Sequence, residues 1–595
     1  MSPAARVVPA VPTYSVDAGF WYAVPPSHAS RVEVGSIVRI PLGGRRVRGY
    51  VVEVADRDTE GLREVAGVSG DLPIFHRRLR DALVWAAHHY VAPVSVTLER
   101  SGPPNLPSRP QSRPAPGSPS PPPAPGLPLA PVAAAAREGR RHPPTAFLTS
   151  WEDMSWLESM APLVEEDRSV LVVVATAAEA ADVAGRARRL VGERSLMITG
   201  DLTDAAMTRH WGEMATDAGR LIVGTPRLAA WPVAGLAAAV VLEEGRRAMK
   251  DRQTPTVSVH RLLSTRARLE GFAQVYVGPT PSIELLSSGP EVIRGANRAW
   301  PLVEVVDRNE EPPGSGLLGE RTRAAIAGVL RQGGRVLVFT HRRGYAPAYR
   351  CVRCRELRRC PTCGSRPEPG EACSRCGEPT RACPNCGGSS FEPLGAGVGR
   401  VLAETRNLYG ERAGEVGTGR PIEVGTERDL AAVRPVDLAV AVDVDGLALG
   451  SHFRAGEEAL RILARLAGRV RRGSGRRLLL QTSMPDEPLV TALRRGNPME
   501  FLHHEMGRRR EMGYPPAGEL MVIEIRGEAS AAGEDLMELA EGSATVMGPA
   551  RSHDGLRWLV QGESLGGLKL ALRPVVQRWR DVGATVRIDV DPIDL

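Results

Sequence analysis

The sequence lacks cysteine everywhere except in one short segment, and it lacks any long apolar run. All 8 cysteines of the 595 residues lie between positions 351 and 386. No segment reaches the roughly 18 consecutive apolar residues that a membrane-spanning helix needs, and the first residues contain no apolar core of a secretory signal. We therefore exclude a disulfide-rich secreted protein and a helical membrane protein, and we expect reduced thiols and a cytoplasmic location.

A strong charge of either sign is also missing. The chain has 76 Lys and Arg residues against 69 Asp and Glu residues, which gives a formal net charge of +7. This mild basic excess permits nucleic-acid binding but does not require it, because solvated arginines are common on protein surfaces. A chain of 595 residues predicts roughly three to five domains, each large enough to bury its own core.

What the sequence does contain is a regular set of Cys-x-x-Cys pairs. Two thiolates at this spacing converge on one ion from a tight turn, and tetrahedral zinc takes four sulfur ligands. Gly364, Gly377 and Gly387 follow three of the pairs, where a turn needs a positive φ. Two closed zinc sites are therefore predicted, with no open position for catalysis. The pairs are Cys351 and Cys354, Cys360 and Cys363, Cys373 and Cys376, and Cys383 and Cys386.

The spacing leaves open which pairs share an ion. Sequential pairing joins the first four cysteines on one ion and the last four on the other. Nested pairing joins the outer two pairs on one ion and the inner two on the other. A disulfide cluster is the third interpretation, which the lack of a secretory segment and of any other cysteine disfavours.

Residues 34–54 indicate a β-hairpin. An alternating segment at 34–41 is followed by the glycine-containing turn 42–49 and by the apolar segment 50–54, which is the pattern of a strand, a turn and a return strand. Arg45, Arg46 and Arg48 crowd the predicted turn. They are either the solvated tip of a hairpin or contacts to phosphates, and the sequence favours neither.

The following segments differ sharply in composition. Residues 101–135 are dense in Pro, Ser and Arg and predict an extended or disordered linker. From residue 144 onward, continuous apolar strands such as 169–175 alternate with helices, and a second such unit begins at 335–340 and carries the cysteine segment as an insertion. This pattern predicts parallel sheets that are covered on both faces. Residues 485–595 predict a compact α+β unit.

Four strings add a family resemblance. Two α/β lobes with a cysteine module inside the second resemble a superfamily 2 helicase. The strings, in this order and with the eight cysteines, resemble the primosomal protein N′ (PriA) family from the N-terminal hairpin to the last residue, except in the linker. They are His341-Arg-Arg-Gly-Tyr-Ala-Pro347, Asp443-Val-Asp-Gly446 with His452-Phe-Arg-Ala455, Tyr514-Pro-Pro516, and Asp589-Val-Asp-Pro592.

The resemblance implies a multidomain α/β fold. It comprises a β-rich N-terminal DNA-binding domain, two RecA-like helicase-type lobes, an inserted module of two four-cysteine zinc sites, and an α+β C-terminal domain. The expected bounds are 1–100 for the N-terminal domain, 101–135 for the linker, 136–300 for lobe 1, 301–344 and 393–483 for lobe 2, 345–392 for the zinc module, and 484–595 for the C-terminal domain. The winged-helix domain of the family is missing where the linker stands.

The resemblance also implies ligands and partners. The N-terminal domain is expected to bind the 3′ end of a nascent strand, and the C-terminal domain to help bind branched DNA and partner proteins, with primosome and single-strand-binding proteins among the partners. Two zinc ions are expected per chain, with nested ligands. These are Cys351, Cys354, Cys383 and Cys386 for one ion, and Cys360, Cys363, Cys373 and Cys376 for the other. The expected phosphate contacts are Arg45, Arg46, Arg48, Arg342 and Arg343.

The departures from the family concern nucleotide chemistry. A phosphate-binding loop needs glycine amides, a lysine and a hydroxyl, whereas residues 145–155 contain neither glycine nor lysine. Leu242 stands where the family has the magnesium aspartate, although Glu243 and Glu244 remain. The arginine-finger repeat is altered at 467–472, so Arg469, Arg471 and Arg472 are expected to contact DNA or the other lobe. ATP and magnesium are therefore not expected to bind, and no catalytic residue is predicted.

A further departure lies in the 3′-end pocket, where Trp21 replaces an acidic residue of the family. Trp21 and Tyr22 are interpreted either as a stacking surface for a base or as ordinary core residues. The predicted function is a replication restart protein that binds branched or single-stranded DNA and recruits primosome partners without unwinding. The alternatives are a divergent ATP-dependent 3′-5′ helicase, and a zinc-scaffolded protein-interaction factor.

Overall fold

The structure is a computed structural model. It describes residues 2–109, 126–295, 300–312, 315–341, 348–354, 356–365, 367, 370, 372–373, 376–394, 397–450, 452–527, 531–552 and 555–593. These residues form sheets of five, seven, six, two and four strands. No helix among them is long and apolar enough to cross a membrane.

The N-terminal unit is an antiparallel sheet packed against two helices. The sheet order is β2-β1-β4-β3-β5, and Leu79, Leu83 and Ala86 of the first helix pack into its core. His76 caps this helix, because its Nδ1 accepts the Leu79 N–H at 3.2 Å. The elements are β1 (Ser2–Pro9), β2 (Phe20–Ala23), β3 (Ile37–Leu42), β4 (Arg45–Arg57), β5 (Gly67–Ser69), α1 (Arg77–His89) and α2 (Val94–Glu99).

Lobe 1 is built around a parallel sheet of seven strands. Its strands are continuously apolar, and Val170, Leu171, Val172 and Val173 are fully buried, as expected where helices cover both faces of a sheet. The elements are α3 (Ala130–Arg137), β6 (Thr145–Leu148), α4 (Ser155–Glu165), β7 (Ser169–Val173), α5 (Ala177–Val191), β8 (Ser195–Ile198), α6 (Asp204–Thr216), β9 (Leu221–Gly224), β10 (Leu236–Leu242), α7 (Val259–Glu270), β11 (Ala273–Gly278), α8 (Ile283–Ser287) and β12 (Glu291–Arg294). The strand order is β12-β6-β11-β10-β7-β9-β8.

Lobe 2 repeats this plan with six parallel strands and an inserted cysteine module. The strand order is β13-β20-β19-β14-β18-β17, and the module is flanked by an antiparallel pair, β15 and β16. The elements are β13 (Leu302–Asp307), α9 (Glu320–Arg331), β14 (Val336–Phe339), β15 (Ala348–Cys351), β16 (Phe391–Leu394), α10 (Val398–Tyr409), β17 (Ala413–Glu415), β18 (Ile422–Gly425), β19 (Leu438–Ala441), α11 (Val444–Ala448), α12 (Ala455–Ala467) and β20 (Arg477–Thr482).

The C-terminal unit is an antiparallel sheet of four strands with helices beside it. The strand order is β22-β23-β21-β24. The elements are α13 (Pro488–Arg494), α14 (Pro498–Glu511), β21 (Glu519–Arg526), α15 (Ala532–Ala540), β22 (Thr545–Ser552), β23 (Gly555–Gly562), α16 (Gly566–Asp581) and β24 (Thr585–Val590). The architecture confirms the predicted fold class, with a β-rich N-terminal unit, two RecA-like lobes, the cysteine insertion and an α+β end.

Two local expectations are corrected. The hairpin turn consists of Gly43 and Gly44, with φ of 55° and 78°, so Arg45, Arg46 and Arg48 lie on β4 and not in the turn. The end of the expected linker is helical, because α3 buries Val132, Ala133 and Ala136 in the core that also contains Trp156 and Leu157 of α4. Alanine favours helix, and Pro131 is tolerated in the first turn, so a proline-rich composition did not prevent this helix.

The parallel topology brings the important loops of lobe 1 together. Parallel strands end at the same edge of a sheet, so the residues after β6, β10 and β11 lie side by side. The Thr149 N–H donates to the Gly278 carbonyl at 3.0 Å, and the Glu243 N–H donates to the Val277 carbonyl at 2.8 Å. Helix α12 of lobe 2 faces this edge, because the Ile283 N–H donates to Glu457 at 2.9 Å. The edge and α12 form the walls of the cleft between the lobes, which we call the interlobe cleft.

Candidate metal centres, DNA-binding surface and interlobe cleft

Each Cys-x-x-Cys pair forms the same small loop. In all four loops the N–H of the first cysteine donates to the carbonyl five residues later. These bonds run from Cys351 to Glu356 at 2.9 Å, from Cys360 to Ser365 at 2.8 Å, from Cys373 to Glu378 at 2.7 Å, and from Cys383 to Gly388 at 2.8 Å. Gly364, Gly377 and Gly387 have φ between 68° and 76°, which fits the role that the sequence assigns to them.

The structure brings the eight cysteines together in nested sets. The sulfur of Cys351 lies 3.5 Å from that of Cys386, and the sulfur of Cys360 lies 3.4 Å from that of Cys376. These distances exceed the roughly 2.05 Å of a disulfide. Within each set the four sulfur atoms lie within 4.8 Å of one another, so each set can hold one metal ion. The sets are Cys351, Cys354, Cys383 and Cys386, and Cys360, Cys363, Cys373 and Cys376.

A buried arginine connects the two cysteine sets. Arg358 is 3% exposed, and its guanidinium lies 4.1 Å above the ring of Phe391. The same guanidinium donates to the Thr380 carbonyl, while the Arg358 N–H donates to the Tyr349 carbonyl at 2.8 Å. Arg358 lies between the first two Cys-x-x-Cys pairs in the chain. It therefore ties this part of the module to the segment before the last pair.

The arginines of the N-terminal hairpin form an exposed basic strip. Arg45, Arg46 and Arg48 are all exposed, and Arg48 stands directly opposite Arg39 of β3. The sequence analysis missed Arg39, although it stands at an exposed position of an alternating strand. Arg342 and Arg343 lie outside the described residues.

Trp21 and Tyr22 of β2 differ in role. Tyr22 is 4% exposed, and its hydroxyl donates to the Pro41 carbonyl at 3.1 Å, so it is a core residue. The guanidinium of Arg57 lies 4.3 Å above the ring of Trp21. Trp21 is half-buried, and this face of its ring is already covered by a cation.

The loop after β6 is closed on itself. The hydroxyl of Thr149 donates to the Asp153 carboxylate, which also accepts the Ser155 N–H at 3.0 Å. Burial by itself would raise the pKa of Asp153, yet these hydrogen bonds hold it below its ordinary value. Glu152 is exposed beside it. The loop thus offers carboxylates at the place where a phosphate-binding loop offers amides and a lysine.

The three residues after Val241 are buried and differently partnered. Leu242 is 3% exposed and belongs to the apolar core that contains Phe147 and Val277. Glu244 accepts the Ser282 N–H at 2.6 Å. Burial raises the pKa of Glu244 to about 7, and the nearby carboxylate of Glu457 adds to the effect. Glu243, which has a positive φ of 52°, belongs to a group of ion pairs.

These ion pairs join the lobes across the cleft. Arg465 of α12 lies 3.4 Å from the carboxylate of Glu243 and 3.8 Å from that of Glu179, both in lobe 1. Arg246 of lobe 1 contacts the same two carboxylates at 3.2 Å and 2.6 Å. Within lobe 2, Arg465 also contacts Glu427 at 2.8 Å. The cleft is therefore lined by buried charges that neutralise one another.

Known protein families match both ends of the chain. Residues 6–103 match the PriA family's 3′ DNA-binding domain, and residues 510–593 match the C-terminal domain of primosomal protein N. The probable replication restart protein PriA of Mycobacterium leprae is 26% identical over 98% of this chain and 99% of its own length. The Deinococcus radiodurans protein of the same name is 28% identical over 73% of this chain. The matched part covers about half of that relative's own length, 52%. The chain is thus similar to PriA proteins at both ends and along most of its length.

Lysine is rare in this chain, and neither lysine lies near Arg465. The chain contains two lysines, Lys250 and Lys569, and their side chains are 8% and 2% exposed. Lys250 pairs with Asp589, and Lys569 lies 2.8 Å from Glu519. Neither lines the interlobe cleft around Arg465. Among the described residues, the part of the cleft around Arg465 is therefore lined by no lysine.

The raised pKa of Glu244 predicts a stability that falls as the pH rises. The folded carboxyl keeps its proton up to about pH 7, whereas an unfolded glutamic acid releases it near its ordinary value of 4.5. Because the folded state binds more protons between these values, stability is lost across this window. We expect Glu244→Gln, which stays neutral and still accepts the Ser282 N–H, to unfold at a higher temperature than the wild type at about pH 8.

Near pH 5 the two proteins should unfold at similar temperatures, because Glu244 is then protonated as well. Thermal unfolding followed by circular dichroism at both pH values measures the difference. Glu193→Gln is the control, because its side chain is 72% exposed. A difference between Glu244→Gln and the wild type that does not change with pH would contradict the prediction.

Proposed function

We propose that this chain is a replication restart protein that binds stalled or abandoned forks and recruits primosome partners without hydrolysing ATP. The observation that carries the proposal is the pair of family matches, a 3′ DNA-binding domain at 6–103 and a PriA C-terminal domain at 510–593. They flank the two lobes in a chain that aligns along 98% of its length with a probable replication restart protein. Primosome proteins and single-strand-binding protein are the proposed partners, and the cytoplasm is the proposed location.

DNA binding is supported by exposed guanidinium groups within the 3′ DNA-binding domain. Arg39 and Arg48 stand opposite each other on β3 and β4, and Arg45 and Arg46 follow the hairpin turn. Arginine is well suited to phosphates, because its planar fork donates two parallel hydrogen bonds to adjacent oxygens. The strip is rigid, since it lies on paired strands rather than on a loop.

The proposal that ATP is not hydrolysed rests on the interlobe cleft. Phosphoryl transfer depends on charge neutralisation by a lysine and magnesium, and on backbone amides that orient the phosphates. Leu242 offers no oxygen to a metal, and the loop of Thr149 and Asp153 is closed by its own hydrogen bonds. Glu152 adds negative charge where a polyanion would have to approach.

Two structural zinc ions are proposed for the cysteine sets. Four thiolates within 4.8 Å of one another repel strongly unless a cation lies between them. Four sulfur ligands form the closed tetrahedral set that is typical of structural zinc, so the ions would hold the module together and take no part in catalysis.

The nested arrangement predicts opposite results for two double variants. Cys354→Ser with Cys383→Ser removes two ligands of one set, so we expect one zinc ion per chain to remain. Cys354→Ser with Cys363→Ser damages both sets, so we expect none. Native mass spectrometry of protein purified without oxygen measures the count, with two ions expected for the wild type. Sequential pairing would give the reverse result for the two variants, and a wild type without metal would refute the zinc sites.

We expect no fork-stimulated ATP hydrolysis above background. Phosphate release is measured for the wild type and for Glu243→Gln, purified side by side so that a contaminating ATPase contributes equally to both. Equal background rates are expected, because no nucleotide is positioned for Glu243 to act on. A wild-type rate that this substitution abolishes would show a working nucleotide site and would favour the divergent helicase.

Reversing the hairpin charges should weaken fork binding and reduce its salt dependence. For Arg45→Glu with Arg46→Glu, we expect the slope of log K against log salt to fall by about 0.7 to 0.9 for each phosphate contact that is lost. Fluorescence anisotropy with a labelled fork over a salt series measures it. Arg188→Glu with Arg189→Glu is the matched control, since these neighbours are exposed on α5. An unchanged slope in the hairpin variant would mean that these arginines are only solvated.

A further inference from the structure

Helix α12 presents an unusual charged face to lobe 1. Glu458, Arg461 and Arg465 recur at spacings of three and four residues, which places them on one side of the helix. Their side chains are 15%, 10% and 9% exposed. A face that packs against another unit and excludes water normally carries apolar residues. Here the face carries charges, each of which has an opposite charge within reach.

Arg465 is the centre of this face. Its guanidinium contacts three carboxylates, from Glu427 at 2.8 Å, Glu243 at 3.4 Å and Glu179 at 3.8 Å. The side chains of Glu243 and Glu179 are 8% and 7% exposed. Removing Arg465 would leave two buried carboxylates of lobe 1 with Arg246 and, through electrostatic interaction only, Arg469 as their nearby cations. A buried charge that loses its partner is strongly unfavourable.

Further contacts across the cleft also hold α12 of lobe 2 against lobe 1. Arg247 of lobe 1 contacts the Glu458 carboxylate at 2.6 Å, and Arg454, just before α12, pairs with Glu284 of lobe 1. The Ile283 N–H donates to Glu457 at 2.9 Å. Both ends of α12 are thus bound to lobe 1, and Arg465 lines the same cavity as Leu242.

The space that remains beside Arg465 is too small for a ligand. The cavity lined by Trp151, Leu242, Glu243 and Arg465 has a volume of about 30 Å³, which leaves room for about two or three waters. A nucleotide would have to displace the arginine and separate the carboxylates that hold it. The part of the cleft around Arg465 is therefore filled by the chain itself.

We propose that Arg465 acts as an internal ligand of the interlobe cleft and holds the two lobes in one closed arrangement without nucleotide. In nucleotide-driven proteins an arginine stabilises the charge on a bound phosphate. Here Glu179 and Glu243 supply the anions, so closure depends on no exchangeable molecule. The inference concerns the conformation of the lobes and does not rest on the proposed DNA binding.

The experiment measures the distance between the lobes in the full chain. Fluorophores are attached through p-azidophenylalanine at Arg188 of lobe 1 and Leu408 of lobe 2. The side chain of Arg188 is 67% exposed, and Leu408 as a whole residue is 41% exposed. This chemistry avoids the eight cysteines. We expect one narrow energy-transfer population for the wild type, unchanged by ATP. Arg465→Ala should add a second population with lower transfer, and Arg420→Ala, which breaks an exposed pair with Glu411 in lobe 2, should not.

Chemical rescue makes the test specific to the guanidinium. Ethylguanidinium should return Arg465→Ala to the single high-transfer population, because it refills the site between the three carboxylates. Ethylammonium should do so less well at the same concentration, since a point charge lacks the planar fork. Arg465→Lys should show less of the low-transfer population than Arg465→Ala, and it provides the comparison if the alanine variant does not fold.

Two results would overturn the inference. One is a wild type that already shows two populations whose ratio changes with ATP. The other is a single high-transfer population in both Arg465→Ala and Arg465→Lys, which would mean that other contacts hold the lobes. Fork binding measured on the same samples remains a separate observation, because loss of DNA binding without any change in energy transfer would bear on the proposed function only.

Discussion

Buried charges at the junctions between units must be paired, and the relative placement of the units depends on this constraint. Asp591 near the C-terminus lies 3.0 Å from His89 of the N-terminal unit and 3.5 Å from Arg261 of lobe 1. Burial by itself would raise the pKa of Asp591, yet His89 and Arg261 hold it well below its ordinary value. A carboxylate at this junction is thus stable only while three units stay together.

The same constraint operates at the interlobe cleft, which is lined by apolar side chains and by internal ion pairs. Leu242 extends the apolar core of lobe 1 at the edge of the sheet where a magnesium ligand would have to reach the cleft. Glu179, Glu243 and Arg246 remain charged, and Arg465 of the opposite lobe completes their neutralisation. The strands beneath are fully buried, so the fold persists although the groups that position a nucleotide are missing.

The cysteine module shows a different source of order. Its four loops repeat one backbone hydrogen bond, and the antiparallel pairing of Cys351 with Phe391 brings the first loop close to the last. Nesting follows from this pairing, because the segment between the two strands must fold back and place the inner pairs together. Arg358 packs on Phe391 and donates to the Thr380 carbonyl, in a small module that has little apolar core.

A good part of the fold and of the metal centres could be predicted from the sequence. Continuous apolar runs such as 169–175 indicated parallel strands because burial on both faces leaves no polar positions. The cysteine spacing indicated two metal sites because a Cys-x-x-Cys loop is a local structure. Leu242 and the loop near Thr149 led to the prediction that no nucleotide binds, since phosphate and magnesium require particular residue types. Two predictions were wrong. The hairpin turn was placed too late, because Gly43 and Gly44 alone form it. The linker was extended to residue 135, whereas burial against α4 makes Ala130–Arg137 helical despite its composition.

The sequence by itself determined the local elements, the ligand pairs and the loss of residues that hold phosphate, all of which depend on residues close together in the chain. The tertiary structure decided which cysteine pairs share a set, which carboxylates surround Arg465, and that Glu244 keeps its proton to near neutral pH. Arg465 is 222 residues from Glu243 in the chain, as their numbers show, and no spacing rule links them. Their contact arises because two parallel sheets place their loops at facing edges, and burial there makes each charge depend on the other.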